Sequence, residues 1–166
     1  DTSYDVYDNS IIGINRLAIV DLESGNQPLH DNDNKVHIVG NGFIYNYESI
    51  MDDLKNSGYD FKTENDFQVI PHLYDKYGLK FIDHIEGMFS FLLYDEDKNH
   101  FIAGRDPIGK KPLYYLNDKG KWYFSSECKS FSECNLDVSK VRELEAGCLL
   151  MPSIKDGSSI YKKYYE

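Results

Sequence analysis

Residues 36–50, VHIVGNGFIYNYESI, change period in mid-stretch, and that change limits the fold more than any other feature of the chain. Up to Ile44 the residues are those that suit a strand; from Tyr47 the side chains of Tyr47, Ile50, Met51 and Leu54 recur at helical spacing. Asn46 is placed to cap that helix and Gly58 lies just past its end. A chain that passes directly from one period to the other needs an architecture with both element types. Asn41-Gly42 sits inside the strand-forming part and has two readings. It is the strongest short signal for a tight type I′ hairpin, whose central residues both need φ > 0. It is also an Asn carboxamide beside a Gly N–H, a donor pair suited to a developing oxyanion.

The remaining elements follow from the same patterns. SIIGINRLAIV, residues 10–20, reads as one or two buried strands followed by a turn-rich stretch. A second helix is expected through Phe67, Ile70, Leu73, Tyr74 and Tyr77, entered at Asn65-Asp66 with Asp66 as N-cap, losing a backbone bond or kinking at Pro71, and stopped at Gly78. A short segment, LKFIDHI, ends before Gly87. Thereafter MFSFLLYDED pairs with NHFIAGRD, PLYYL with WYFSS, and CLLMP with SIYKKYY around Lys155-Asp156-Gly157, a meander of hairpins. Gly104, Pro107, Gly109 and Pro112 frame a stiff turn that an Arg105-Asp106 pair would lock. With no repeat and no linker, residues 1–166 read as one α+β domain of layered sheets and helices.

Composition removes several functional classes. The chain of 166 residues is long enough for a core without disulfides or metal. Its 18 Lys and Arg against 28 Asp and Glu give a net charge of -10, which disfavours nucleic acid and anionic membrane as partners. No apolar run reaches a membrane-spanning length. Cys128, Cys134 and Cys148 are odd in number and lack zinc-site spacing, as do the five histidines, so a reduced, cytoplasmic setting without bound metal is expected.

The succession NRLAIVD, GNQPL, NGFIYN, ENDFQVIPHLYDKYG, GMFSFLLYD and GRDPIGKKPLYY resembles the glutamine-hydrolysing domain of asparagine synthetase, a class II glutamine amidotransferase of the N-terminal nucleophile hydrolase type. The resemblance runs from about residue 10 to the end and keeps the order of the family's blocks. It implies a four-layer αββα sandwich of two antiparallel sheets. It implies chemistry in which an N-terminal cysteine thiolate attacks the glutamine side-chain amide, with its own α-amine as base. Asn41 and Gly42 match the family's oxyanion donors, Arg16 its carboxylate-binding arginine and Asp66 its ammonium-binding aspartate. Ile19 and Val20 match residues whose main chain meets the substrate. The implied partners are L-glutamine and a C-terminal synthetase domain that uses ATP and Mg²⁺ on aspartate; a homodimer is compatible, and no cofactor is expected within residues 1–166.

Two departures from the family pattern stand out. No cysteine opens the chain, so the resemblance implies that the nucleophile and first strand lie ahead of Asp1 and that the segment by itself is inactive. Phe43 occupies the place of a glutamate that helps hold the ammonium, which removes a charge-assisted contact of about 1.5–3 kcal/mol. Asn65 stands for Ser, Gln68 for Glu, and Asn15 for a basic or polar neighbour of Arg16. These differences keep open a rival reading, a catalytically silent amidotransferase-like domain retained for domain or subunit contacts. A third reading is another class II branch, with a phosphoribosyltransferase or sugar isomerase downstream.

Overall fold

A computed structural model describes residues 2–7, 10–15, 26–153 and 158–165. The chain divides into two compact units, Asp1–Gly87 and Met88–Glu166. Among the described residues no helix is long and apolar enough to cross a membrane.

The first unit opens with an antiparallel pair, β1 (Thr2–Tyr7) and β2 (Ser10–Asn15). β2 forms where a strand was expected, but it is not buried as a whole. Ile12 is buried while Ile11 is 69% exposed, because a two-stranded ribbon covers only one of its faces. β1 was not anticipated, although TSYDVY alternates regularly between partly buried and exposed positions. Residues 16–20, the rest of the expected strand region, lie outside the described residues.

β3 (Leu29–His30) pairs antiparallel with β4 (Val36–Ile44), with Leu29 opposite Ile38 and His30 opposite His37. The intervening turn is held by Asp31, whose Oδ1 accepts from Lys35 N at 2.7 Å and Val36 N at 3.1 Å. β4 runs unbroken through Asn41-Gly42, which corrects the hairpin reading. Gly42 has φ 143°, but Asn41 is not among the described residues with positive φ, so the conformation a type I′ turn needs is not formed.

α1 (Tyr47–Asn56) buries Ile50, Met51 and Leu54, as the spacing predicts, and is followed by Gly58 at φ 94°. Asn46 stands at its N-terminus without capping it. Its side chain instead donates to His84 O at 3.0 Å and accepts from Glu86 N at 3.0 Å, tying the helix start to a distant segment. α2 (Val69–Tyr77) is preceded by a 3-10 turn, Asp66–Gln68, capped by Asn65 through Phe67 N. The expected cap is thus displaced from Asp66 by one residue. The 3-10 turn also explains why Pro71 is harmless: it falls at the third residue of α2, where main-chain N–H groups have no intrahelical acceptor. A further 3-10 helix, Gly78–His84, lays His84 on Tyr77 with ring centroids 4.2 Å apart.

His72 on α2 is almost wholly buried between Tyr59 and Phe61, and its Nε2 has no partner among the described residues. Burial holds its pKa below the ordinary 6.5, against weaker raising effects of Asp31 and Asp75. The unfolded chain therefore takes up this proton first as pH falls below about 6.5, and stability is lost on acidification. We expect His72→Phe to stay within about 1.5 kcal/mol of the unsubstituted protein at neutral pH. It should also lose less Tm between roughly pH 7 and 5.5, a difference that thermal melts at both pH values measure.

In the second unit β5 (Gly87–Asp95) and β6 (His100–Arg105) form the expected hairpin, closed by Asn99 at φ 51°. β10 (Cys148–Pro152) pairs with β6, and β11 (Ser159–Lys163) with β10. The turn expected at Lys155-Asp156-Gly157 lies outside the described residues. β7 (Tyr114–Asp118) and β8 (Lys121–Ser125) form a separate sheet with the short β9 (Arg142–Glu143), so the hairpins do not make a single meander. A five-residue helix, α3 (Lys129–Glu133), was too short to show a period in the sequence. Ala103, Leu113, Leu144, Cys148 and Leu150 form a buried cluster with Leu92, Tyr115, Trp122 and Phe124 against it.

The turn after β6 is locked differently from the expected Arg105-Asp106 pair. Asp106 is fully buried and accepts from the main-chain N–H groups of Phe89, Ile108, Lys110 and Lys111. Arg105 donates to the carbonyls of Gly109, Lys111 and Leu144 and pairs with Glu143 at 2.8 Å. Each side chain answers main-chain groups of opposite polarity, which their mutual pairing would leave unmet.

Candidate functional site

The candidate donors lie near the C-terminal end of β4, and that end is held on both sides. Before Asn41 the carboxamide of Gln27 meets both main-chain groups of Gly40: Oε1 accepts from Gly40 N at 2.6 Å and Nε2 donates to Gly40 O at 3.1 Å. Phe67 packs against the same glycine so closely that a Cβ at position 40 would lie 2.0 Å from its ring. Beyond Phe43, Asp66 accepts from Ile44 N at 2.7 Å through Oδ2. Ile44 itself is fully buried, and Tyr45 N donates to Glu86 O.

Between these clamps Asn41 is exposed, and no hydrogen bond among the described residues engages its carboxamide. Gly42 follows at φ 143°, a conformation that side-chain-bearing residues rarely adopt. The strand thus presents an unengaged Asn side chain beside a glycine whose backbone needs to be glycine. A main chain held on both sides of an exposed carboxamide suits a donor pair.

The structure brings Asn41, Gly42 and Asp66 to one stretch of β4 and its neighbouring turn. Asp66 is almost wholly buried and faces the strand, where its N-cap reading had set it on the helix end. Tyr47 nearby has its hydroxyl pKa pushed up by burial, then by Glu48, with Asp66 and Glu64 adding to the effect. Phe43, half-buried, sets its ring against Tyr45 at 6.1 Å and edge-on to Tyr47 at 5.9 Å. The ring is thus taken up in an aromatic cluster beside the donors. Arg16, Ile19 and Val20 lie outside the described residues.

Gln27, Gly40 and Phe67 were missed as members of this region. Their signal was present only as adjacent motif letters, the Q of QPL, the Gly before Asn41 and the Phe after Asp66. Gln68 similarly ties the 3-10 turn back to β3 by donating to His30 O. On the same two strands the Nδ1 atoms of His30 and His37 lie at hydrogen-bonding distance, 2.7 Å, and burial, then His37, lowers the His30 pKa. Among the described residues no group of three or more His, Cys, Asp or Glu is placed to hold a metal ion. All three cysteines are free thiols in the second unit, Cys128 and Cys134 exposed and Cys148 buried.

Residues 2–165 match a family model described as the glutamine amidotransferase domain. The chain is similar to asparagine synthetase (glutamine-hydrolyzing) 2 of Oryza sativa subsp. japonica, 44% identical over 128 residues, or 76% of this chain and 21% of that protein. It is similar to asparagine synthetase (glutamine-hydrolyzing) of Sandersonia aurantiaca, 40% identical over 151 residues, or 90% of this chain and 27% of that one. The chain therefore spans only about a quarter or less of the length of these relatives. Among solved structures it is similar to glutamine phosphoribosylpyrophosphate amidotransferase from B. subtilis, complexed with ADP and GMP. That likeness has a TM-score of 0.76 and 25% identity, covering 93% of this chain and 34% of the other.

Proposed function

This chain belongs to the glutamine amidotransferase domain family, with the α+β fold of its N-terminal nucleophile hydrolase relatives, and from that premise we propose that it releases ammonia from the side-chain amide of L-glutamine. The observation that carries this reading is the β4 segment, clamped by Gln27 and Asp66, that presents the exposed Asn41 beside Gly42. In the proposed reaction a cysteine thiolate adds to the amide carbon. The carbonyl oxygen becomes negative and takes hydrogen bonds from Asn41 Nδ2 and the Gly42 N–H. The α-ammonium formed on taking the thiol proton returns it to the amide nitrogen, collapse of the intermediate expels that nitrogen as ammonia, and water then cleaves the thioester to give glutamate and restore the thiol.

The nucleophile in this reading is an N-terminal cysteine of the parent protein whose own α-amine accepts the thiol proton. Cys128, Cys134 and Cys148 are internal residues without a free α-amine, so none of them takes that part. Arg16 binds the substrate carboxylate through two parallel N–H bonds, Asp66 the ammonium, and the main chain at Ile19 and Val20 the intervening atoms. With Phe43 in place of a second carboxylate and taken up against Tyr45 and Tyr47, Asp66 carries the ammonium without that second anion.

The names and greater lengths of the relatives support a parent protein that passes this ammonia to a C-terminal synthetase domain converting aspartate to asparagine with ATP and Mg²⁺. The free thiols suit a cytoplasmic setting. The test of the substrate assignment is Arg16→Ala in the parent protein. We expect glutamine-dependent asparagine synthesis to fall below detection while synthesis from added ammonia persists; equal loss of both would make Arg16 a structural residue.

A further inference from the structure

We propose that Gln27 is a positioning residue for amide hydrolysis: its carboxamide replaces a main-chain partner for Gly40 and so fixes the direction in which Asn41 and Gly42 present their donors. The pairing of β3 with β4 shows how. Leu29 lies opposite Ile38 and His30 opposite His37, so the same register carried two residues further sets Gln27 opposite Gly40. There the side chain, not the main chain, completes the antiparallel pair, accepting from Gly40 N at 2.6 Å and donating to Gly40 O at 3.1 Å. A primary carboxamide can do this because its acceptor oxygen and one of its two donor N–H groups lie in one plane on the same edge.

Several features make the substitute rigid. Gln27 is almost wholly buried, and its own carbonyl accepts a hydrogen bond from the Ser3 hydroxyl on β1. The Phe67 ring closes the space beside Gly40, so the strand cannot relax in that direction. At the far side Asp66 holds Ile44 N. Gln27 and Asp66 thus grip β4 on either side of three residues, Asn41, Gly42 and Phe43. Releasing one grip leaves the donors attached but free to rotate, and donors that are displaced in the transition state lose most of their effect.

This inference rests on the amide-hydrolysing reading above, and the test separates the two. Glutamate release from L-glutamine is measured in the parent protein with its native N-terminus, unsubstituted and as Gln27→Met and Gln27→Glu, across roughly pH 6 to 8.5. Thermal melts accompany each variant. Gln27→Met, which keeps the length and loses both bonds, should lower kcat about 10- to 100-fold while KM for glutamine stays within about threefold. Gln27→Glu carries the decisive readout. When ionised, its second oxygen faces the Gly40 carbonyl and repels it; when protonated, that oxygen donates and restores both contacts. Its kcat relative to the unsubstituted protein should therefore climb as pH falls, even though Gln27→Met shows a constant ratio.

Kinetics at the unsubstituted level in both variants would overturn the proposal. So would a change confined to KM, or a Gln27→Glu ratio that does not vary with pH while both variants melt normally. Should Gln27→Met fail to fold, the pH dependence of Gln27→Glu decides alone. Absence of glutamate release from the unsubstituted protein would remove the amide-hydrolysing reading and the inference with it.

Discussion

Asn41→Ala is expected to lower kcat for glutamate release by about 10²–10³ in the parent protein, with little change in KM for glutamine. Asn41 is exposed and no hydrogen bond among the described residues engages its carboxamide, so its removal breaks none of their bonds. Its effect is reserved for the moment at which the substrate oxygen becomes negative. Stability should stay within about 0.5 kcal/mol, since surface substitutions away from special features rarely do more. Steady-state kinetics and a urea melt on the same preparation measure both numbers. A parallel rise in KM would mean that Asn41 binds the ground state instead; a stability loss of several kcal/mol would mean that it supports the strand.

The opposite profile is expected at Asp106. Its buried carboxylate serves four main-chain N–H groups, those of Phe89, Ile108, Lys110 and Lys111, within the second unit. Asp106→Ala leaves these donors without an acceptor, and a buried unsatisfied group costs about 1–3 kcal/mol, more when its partner was charged. A total of roughly 3–5 kcal/mol follows, since some of the freed N–H groups can reach water. That is comparable with the whole stability of many domains, so the variant should melt far below the unsubstituted protein or fail to accumulate folded. Asp106→Asn keeps the shape but swaps one acceptor for a donor, and should fall between the two. Chemical denaturation monitored at Trp122, in the neighbouring sheet of the same unit, follows the loss directly.

These two residues also show where sequence and structure part company. α1 was legible because Ile50, Met51 and Leu54 repeat with the helical period and a single face is buried. β5, β6, β7 and β8 were legible because the charged stretches DEDKN and NDKG separate dense apolar runs. Asn41-Gly42 misled as a turn because the turn signal is local, whereas the forces that keep β4 straight come from Gln27 and Asp66, 13 and 22 residues away from the groups they hold. Asp66 was read as a helix cap for the same reason. Its neighbour Asn65 makes the cap and releases Asp66 to the strand, a choice settled by packing of Phe67 against Gly40. The candidate donors and the ammonium-binding carboxylate were visible as letters; the clamp that orients them was visible only in three dimensions.

Glutamate release from L-glutamine by the parent protein with its native N-terminus tests the central claim most directly, with an electrophilic glutamine analogue as the covalent probe. The account predicts steady release of glutamate and ammonia in equal amounts. It further predicts that the analogue stops the reaction by labelling one N-terminal cysteine and leaves Cys128, Cys134 and Cys148 unmodified at stoichiometric dose. A folded protein that releases no glutamate, or one whose activity is lost by modification of one of those three thiols, would contradict it.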